Sequence, residues 1–224
     1  MITMMKSVGL PGVLQQKNKL FTKNLESSKG VIVYNELIKT FDGIEYRSWN
    51  PYRSKLAAAL QKNIQHLTLT EGSHVLYLGA ATGTTVSHLS DIVSTGMVYA
   101  VESAALAMQK LLHVVEYRPN IVPILASARH PENYQPIVPL VDWVYQDISQ
   151  RDQADIFLSN VDRYLKPEGT GVLMVKARSI DVSQPPKQVF SQVESQLKEH
   201  GLCIKDQQVL SPFEKDHAAF VVTR

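Results

Sequence analysis

The chain has 224 residues, 44% of them hydrophobic and 20% charged, and a formal net charge of +2. That is the composition of an ordinary globular protein with one large domain, or one domain and a small appendage. No apolar run approaches the roughly 18 residues that a membrane helix needs. The single cysteine, Cys203, excludes an intrachain disulfide or a cysteine-based metal cluster, and its apolar surroundings place it in the core. The N-terminus shows no signal-peptide core and cleavage pattern, so an intracellular, soluble protein is expected. A protein that holds nucleic acid unaided carries a strong basic patch or stripe. If RNA is the substrate here, help in holding it is expected.

The first 15 residues carry little pattern, and Leu10–Val13 is either an early strand or an irregular lead-in. From Lys19 to Trp49 the pattern is β. Lys19–Thr22 is a short strand, Val31–Tyr34 and Leu37–Ile38 are apolar stretches, and Asp42-Gly43 is a hairpin turn signal before the alternating Ile44–Trp49. A small antiparallel subdomain over residues 1–50 is expected, with the main domain over 51–224. Asn50 suits a helix N-cap and Pro51 its first turn. The helix that follows has apolar positions at Leu56, Leu60, Ile64 and Leu67. Arg53 and Lys55 oppose the dipole of that helix, which points to another requirement on them.

Residues 75–85, VLYLGAATGTT, organise the rest. Val75–Leu78 reads as a buried parallel strand. Gly79–Gly83 is a small-residue turn, and Thr84-Thr85 opens a helix whose free N–H groups suit an anionic group. The spacing does not meet the G-x-G-x-x-G dinucleotide fingerprint, so a nucleotide-type cofactor competes with a tight turn that binds nothing. Gly96–Val101 is the next strand, with Glu102 at its carboxyl end. A carboxylate there suits a ribose diol, which NAD and S-adenosylmethionine both carry; an ordinary surface acid is the other reading.

The βα units then continue. Ala104–Tyr117 is a helix, Ile121–Leu125 a strand, and Val141–Tyr145 a strand running to Asp147. Asp152–Leu165 is a helix closed by Lys166–Gly169, and Gly171–Val175 a strand ending at Lys176. Gln188–His200 is a helix stopped by Gly201. Leu202–Leu210 and Ala218–Thr223 are two strands with no helix between them, which implies a final antiparallel hairpin. Strands alternating with helices imply a parallel sheet covered on both faces. The fold class expected is α/β, a Rossmann-like seven-stranded sheet with one antiparallel strand. That is the class I S-adenosylmethionine-dependent methyltransferase architecture, preceded here by the small β subdomain. Fold alone does not fix a reaction.

In such sheets the site lies at the carboxyl ends of the strands, where Glu102, Ser127, Asp147 and Lys176 collect. His217 enters the last strand and Lys55 precedes the core. Lys55, Asp147, Lys176 and His217 form a possible constellation. Methylating an alcohol requires the oxygen to be placed in line and its proton to leave. Lys176, at the end of an apolar strand, is the candidate to assist, with an acid and a histidine to orient it. Taken singly, Lys176 is equally a snorkelling lysine, Asp147 a helix cap, His217 a loop histidine and Lys55 a solvated charge. His66, His74, His88, His113, His130 and His200 show no ligand spacing, so no metal site is expected. Trp49 and Trp143 are read as packing residues.

The segments TKNLESS, EYRSWNPYRSKLAAAL, VLYLGAATGTTVSHLSDIV, VYAVE, DWVYQDISQ and FEKDHAAFVV resemble the fibrillarin family in its short archaeal form, from about Lys19 onward. No glycine- and arginine-rich segment of the eukaryotic kind is present. The resemblance implies methyl transfer from S-adenosyl-L-methionine to ribose 2′-hydroxyls of rRNA, and of tRNA, directed by box C/D guide RNA. It implies a ribonucleoprotein with a Nop-domain scaffold and a kink-turn-binding ribosomal-type protein, which accounts for the low net charge, and no membrane. The location implied is cytoplasmic, or nucleolar in a eukaryote. Lys55, Asp147, Lys176 and His217 match the family's catalytic set. Gly79, Ala81 and Gly83 belong to its glycine turn. Thr84, Thr85, Glu102, Ser103, Ser127, Ala128, Asp147, Ile148, Ser149 and Gln150 match its cofactor contacts. Two segments depart from the pattern. Ser127 stands where the family has aspartate, which implies weaker cofactor affinity, and Leu111–Pro119 differs. The competing readings are a structural subunit with weakened activity, a methyltransferase acting on protein side chains, and, least favoured, a nicotinamide oxidoreductase.

Overall fold

The computed structural model describes residues 6–224. Residues 1–5, which begin the expected subdomain and the stretch read for a leader, lie outside it. Five antiparallel strands come first: β1 (Lys6–Ser7), β2 (Val13–Gln16), β3 (Lys19–Lys23), β4 (Ile38–Phe41) and β5 (Ile44–Trp49), in the order β1-β2-β3-β5-β4. Asp42 and Gly43 both take positive φ, 49° and 76°, the backbone a two-residue hairpin turn needs. Leu10–Gly12 is a turn, and Val13 opens a strand that runs on to Gln16. Val31–Tyr34 forms no strand. The amides of Val33 and Tyr34 donate to the Glu36 carboxylate at 3.0 and 2.7 Å, so they have no ladder to join.

Helix α1 (Lys55–Gln61) begins later than its sequence signals suggest. Ser54 is its N-cap and accepts from the Ala57 amide at 3.4 Å. Asn50 instead closes a local turn, accepting from the Tyr52 amide at 2.9 Å. Ile64 and Leu67 lie beyond the end of this helix.

The main sheet contains β6 (His74–Leu78), β7 (Met97–Glu102), β8 (Ile121–Leu125), β9 (Val141–Gln146), β10 (Leu165–Lys176), β11 (Cys203–Val209) and β12 (His217–Thr223). Its order is β11-β12-β10-β9-β6-β7-β8. The pairings along β8-β7-β6-β9-β10 are parallel, and β12 is antiparallel to both β10 and β11. The expected seven-stranded sheet with one reversed strand is therefore present. Lys166–Gly169, read as a helix stop, belongs to β10, which shifts register between Leu165 and Thr170. Cys203 is exposed, not core, because β11 is an edge strand and few of its side chains are covered.

Alternate side chains enter two cores, as a doubly covered sheet requires. Trp143, Tyr145, Val172 and Met174 pack on one face with α1, α2 (Thr84–Ile92) and α3 (Ala105–Val115). Val144, Leu173 and Val175 pack on the other with α4 (Gln153–Tyr164) and α6 (Pro186–Glu199). A short helix, α5 (Ala177–Ile180), follows β10. The first core continues into the N-terminal sheet through Val13, Leu20 and Trp49. Trp49 stacks on His88 of α2, with centroids 4.9 Å apart. Beside that stack Arg47 of β5 donates to Glu36 at 2.6 and 2.9 Å and to Asp91 of α2 at 2.9 Å. Arg118 donates to the other Asp91 oxygen at 2.6 Å and to Asn24 at 2.9 Å.

Candidate active site

Two glycines shape the first βα turn. Gly79 has φ of 85°, and a Cβ there would lie 2.5 Å from the carbonyl oxygen of Asp147. Its bareness brings the ends of β6 and β9 together. Gly83 caps α2 with φ of 93°, and a Cβ there would press on Leu111 and Val114 of α3 at 3.0 Å. Between these glycines Ala81 turns its amide to Glu102, donating at 2.8 Å, while the Ala104 amide donates to the other Glu102 oxygen at 2.7 Å. The carboxylate is thus fixed at the end of β7 with lone pairs left to accept from hydroxyls.

A cavity of about 290 Å³ opens at these strand ends. Gly79, Ala81, Glu102, Ser103, Ser127, Ala128, Asp147, Ile148, Ser149 and Gln150 all line it. Gly83, Thr84 and Thr85 do not. Thr84 faces a separate depression with Val31 and Lys110. Thr85 is buried and donates to the Ser54 hydroxyl at 3.0 Å, tying the start of α2 to the cap of α1. Apolar walls from Val101, Ala126, Ile148 and Ile156 complete the cavity. Fixed acceptors for hydroxyls and apolar sides for a flat ring suit a nucleoside, so the residues present fit the adenosine of S-adenosylmethionine.

Asp147 joins this cavity to the constellation read from the sequence. Its carboxylate pairs with Lys55 Nζ at 2.9 Å, both side chains being partly exposed, 16% and 20%. This is the requirement that places a cation in the first turn of α1 against its dipole. Lys176 ends β10 directly opposite His217, the first residue of β12. Lys176 Nζ has no hydrogen-bond or ion-pair partner among the described residues. His217 is buried, and its Nδ1 lies 2.6 Å from the Lys215 carbonyl oxygen. A carbonyl only accepts, so Nδ1 carries the proton and Nε2 presents a lone pair. Burial, and then the charge of Lys55, hold this imidazole below its ordinary pKa of 6.5 and favour the neutral ring.

Two further residues shape the site. Gln153, fully buried at the start of α4, grips the backbone of Lys176. Its Oε1 accepts from the Lys176 amide at 3.0 Å and its Nε2 donates to the Lys176 carbonyl at 3.3 Å. No sequence pattern marks such a clamp. Arg129 lines the cavity and is held by both oxygens of Asp152, one at 2.7 Å. It adjoins Ala128 in the segment read for cofactor contacts, so position alone was enough to suggest it.

This sheet, with a nucleoside-sized cavity at its strand ends, defines the S-adenosylmethionine-dependent methyltransferase class of α/β proteins. The sequence profile of the fibrillarin family matches residues 5–224. A fibrillarin-like rRNA/tRNA 2′-O-methyltransferase of Methanothermobacter thermautotrophicus is 45% identical over 216 residues, covering 96% of each chain. A fibrillarin pre-rRNA processing protein of Methanococcus jannaschii superposes with a TM-score of 0.94 at 40% identity, over 98% of this chain and 96% of that one. An Aeropyrum pernix fibrillarin with natively bound S-adenosyl-L-methionine gives 0.86 at 41% identity, over 99% and 100%. A fibrillarin in complex with Nop5p gives 0.85 at 45% identity, over 95% and 97%. The chain belongs to the fibrillarin family.

Proposed function

We propose that this protein is a fibrillarin-like methyltransferase that transfers a methyl group from S-adenosyl-L-methionine to ribose 2′-hydroxyls of rRNA and tRNA. The observation that carries the reading is Asp147, which lines the nucleoside-sized cavity and also pairs with Lys55, whose charge reaches His217, the strand partner of Lys176. Cofactor and acceptor sites thus share one residue. Likeness to a fibrillarin with bound S-adenosyl-L-methionine supports the cofactor, and likeness to a fibrillarin bound to Nop5p supports a scaffold partner. A box C/D guide RNA and a kink-turn-binding protein complete the particle we propose. Among the described residues no helix is long and apolar enough to cross a membrane, and we place the protein in the cytoplasm. We read residues 1–50 as a β subdomain joined by a shared core to a methyltransferase domain over 51–224.

The bound cofactor supplies an electrophilic methyl group. This chain must position the alcohol and dispose of its proton. Lys176, with no carboxylate partner among the described residues and fixed through its backbone by Gln153, assists loss of the 2′-hydroxyl proton. His217, with Nε2 as acceptor, orients the hydroxyl. Asp147 holds Lys55 at the mouth of the cavity, where the ammonium steadies the substrate backbone. Positioning is a large share of such catalysis.

The test is transfer of a labelled methyl group to a guide-paired RNA with scaffold, kink-turn protein and guide present. We expect label on the target strand and none when the acceptor carries a 2′-deoxy sugar. Equal label on both strands, or none on either in an assembled particle, overturns the reading.

A further inference from the structure

A groove of about 900 Å³ is lined in part by Asn50, Pro51, Tyr52 and Arg53, which lead directly into the helix that begins at Lys55. Its rim carries an aromatic pair from the two segments that bear Lys55 and His217. Tyr52 is 62% exposed, and its ring meets Phe213 edge to face, with centroids 5.2 Å apart and planes at 71°. The Tyr52 amide donates to the Asn50 side chain at 2.9 Å, which fixes the backbone at this position. Arg53 is exposed, lies over the Tyr34 ring at 5.9 Å and has no carboxylate partner among the described residues. The carboxylate nearest in the groove lining, Glu36, is already engaged by Arg47. What the rim offers is therefore a flat ring beside a free guanidinium.

That chemistry matches one occupant. In an A-form duplex the 2′-hydroxyls face the wide, shallow minor groove, so a centre acting on one of them approaches from that side. The protein surface next to the centre then faces the sugars and phosphates of the adjoining nucleotides. A ring packs on a sugar or base face, and a guanidinium pairs with phosphate. We propose that Tyr52, backed by Phe213, is a shelf for the nucleotide next to the methyl acceptor, with Arg53 on its phosphate. Tyr52 and Arg53 touch the substrate; Phe213 is a positioning residue that acts through Tyr52. This rests on the RNA reading above, because it supposes that the acceptor is a ribose within a guide-paired strand.

The test is Tyr52→p-benzoylphenylalanine in the assembled particle with guide and target RNA, followed by photocrosslinking and mapping of the adduct. Adducts on target nucleotides flanking the acceptor are expected. Adducts on the scaffold protein, or none on RNA that the same sample retains, overturn the shelf. The readout needs no methyl transfer, so it stands apart from a failure of the ribose-methylation reading, in which RNA is bound and never labelled. Kinetics supply the second measurement. Tyr52→Ala and Arg53→Ala should each raise KM for the RNA about tenfold, with the affinity for S-adenosylmethionine and the thermal midpoint kept. Tyr52→Phe should stay within about twofold of the parent, since the ring face does most of the packing. An unchanged KM in both alanine variants overturns the proposal. So does a loss matched by lower cofactor affinity.

Discussion

Two charged clusters in this molecule use similar residues to opposite ends. At the seam between the N-terminal sheet and α2, Arg47, Arg118, Glu36 and Asp91 are all within 5% of full burial. Each charge there is matched, and the guanidinium groups also find Asn24 and the Ser87 hydroxyl as acceptors. At the strand ends, Asp147 pairs with Lys55, both act on His217, and His217 lies opposite Lys176 in the sheet; Lys176 Nζ has no hydrogen-bond or ion-pair partner among the described residues. The seam is closed, rigid and built from planar forks; the centre is open and built from ammonium groups on flexible stems. A satisfied buried cluster resists change and does no chemistry. A partly satisfied, accessible one has hydrogen-bonding capacity left for a substrate.

The contrast breaks first at Lys176. If the open cluster is the chemical one, Lys176→Ala should lower methyl transfer by about 10² to 10⁴-fold, the range for a group that helps move a proton. Particle assembly and the thermal midpoint should hold, because Nζ makes no hydrogen bond or ion pair among the described residues. Single-turnover transfer in the reconstituted particle, alongside a melting curve, makes the measurement. Near-normal turnover would remove Lys176 from the mechanism.

The seam should respond the other way. Asp91→Ala leaves two guanidinium groups short of their shared acceptor in a dry site, at a cost of about 3–5 kcal/mol. For a domain of this size the thermal midpoint should fall by roughly 10 °C or more. Transfer at low temperature by the fraction still folded should stay close to the parent's. A loss of rate without a loss of stability would show that the seam takes part in the reaction.

The two regions also differed in how far the sequence revealed them. The first βα turn was legible because its glycines answer local demands: a Cβ at Gly79 would meet the Asp147 carbonyl. Lys55 stood out because a cation in the first turn of a helix is locally unfavourable, and its partner Asp147 lies 2.9 Å away in space. The seam was not legible. Glu36, Asp91 and Arg118 are ordinary charges in sequence, and only the tertiary fold makes them neighbours. The same network explains the misread segment at Val31–Tyr34, whose amides go to Glu36. Asn50 and Ser54 are both good caps, and the later one won because its hydroxyl also accepts from Thr85 of the glycine-turn helix. Gln153 escaped because its value lies in gripping a strand that follows it in the chain.

A smaller effect separates the regions by pH. His88 sits in the seam, fully buried, where Thr22 Oγ1 lies 2.8 Å from Nδ1 and donates its own proton to Asp91 at 2.6 Å. The threonine oxygen therefore accepts from Nδ1–H. Burial first, and then the charges of Arg47 and Arg118, hold the ring well below its ordinary pKa of 6.5. The unfolded chain takes up a proton near that ordinary value and the folded chain does not. Stability should be at its plateau above it and decline as the pH falls beneath it, by up to about 1.4 kcal/mol per pH unit for this group. Urea midpoints across that window measure the decline. His88→Gln should make the slope shallower whatever it does to stability at neutral pH; an identical slope would assign the decline to other groups, His217 among them.

The smallest effect is expected at Ser127, in the open region. Its hydroxyl lines the cavity and accepts from the Arg129 amide at a long 3.3 Å. It carries no charge and holds no element in place. Ser127→Ala removes one neutral hydrogen-bonding group, about 0.5–1.5 kcal/mol, so the affinity for S-adenosylmethionine should fall a few-fold with the thermal midpoint unchanged. Ser127→Asp should strengthen it by a similar factor if a carboxylate at this position accepts a hydrogen bond from the cofactor, as the family pattern implies. Arg129 is already held by Asp152, so the new carboxylate would stay available to the cavity. Calorimetric titration of both variants decides the point. A Ser127→Ala variant that binds as tightly as the parent would mean that Glu102 and the apolar walls hold the adenosine unaided, and that the open region reserves its polar groups for the reaction and not for cofactor affinity.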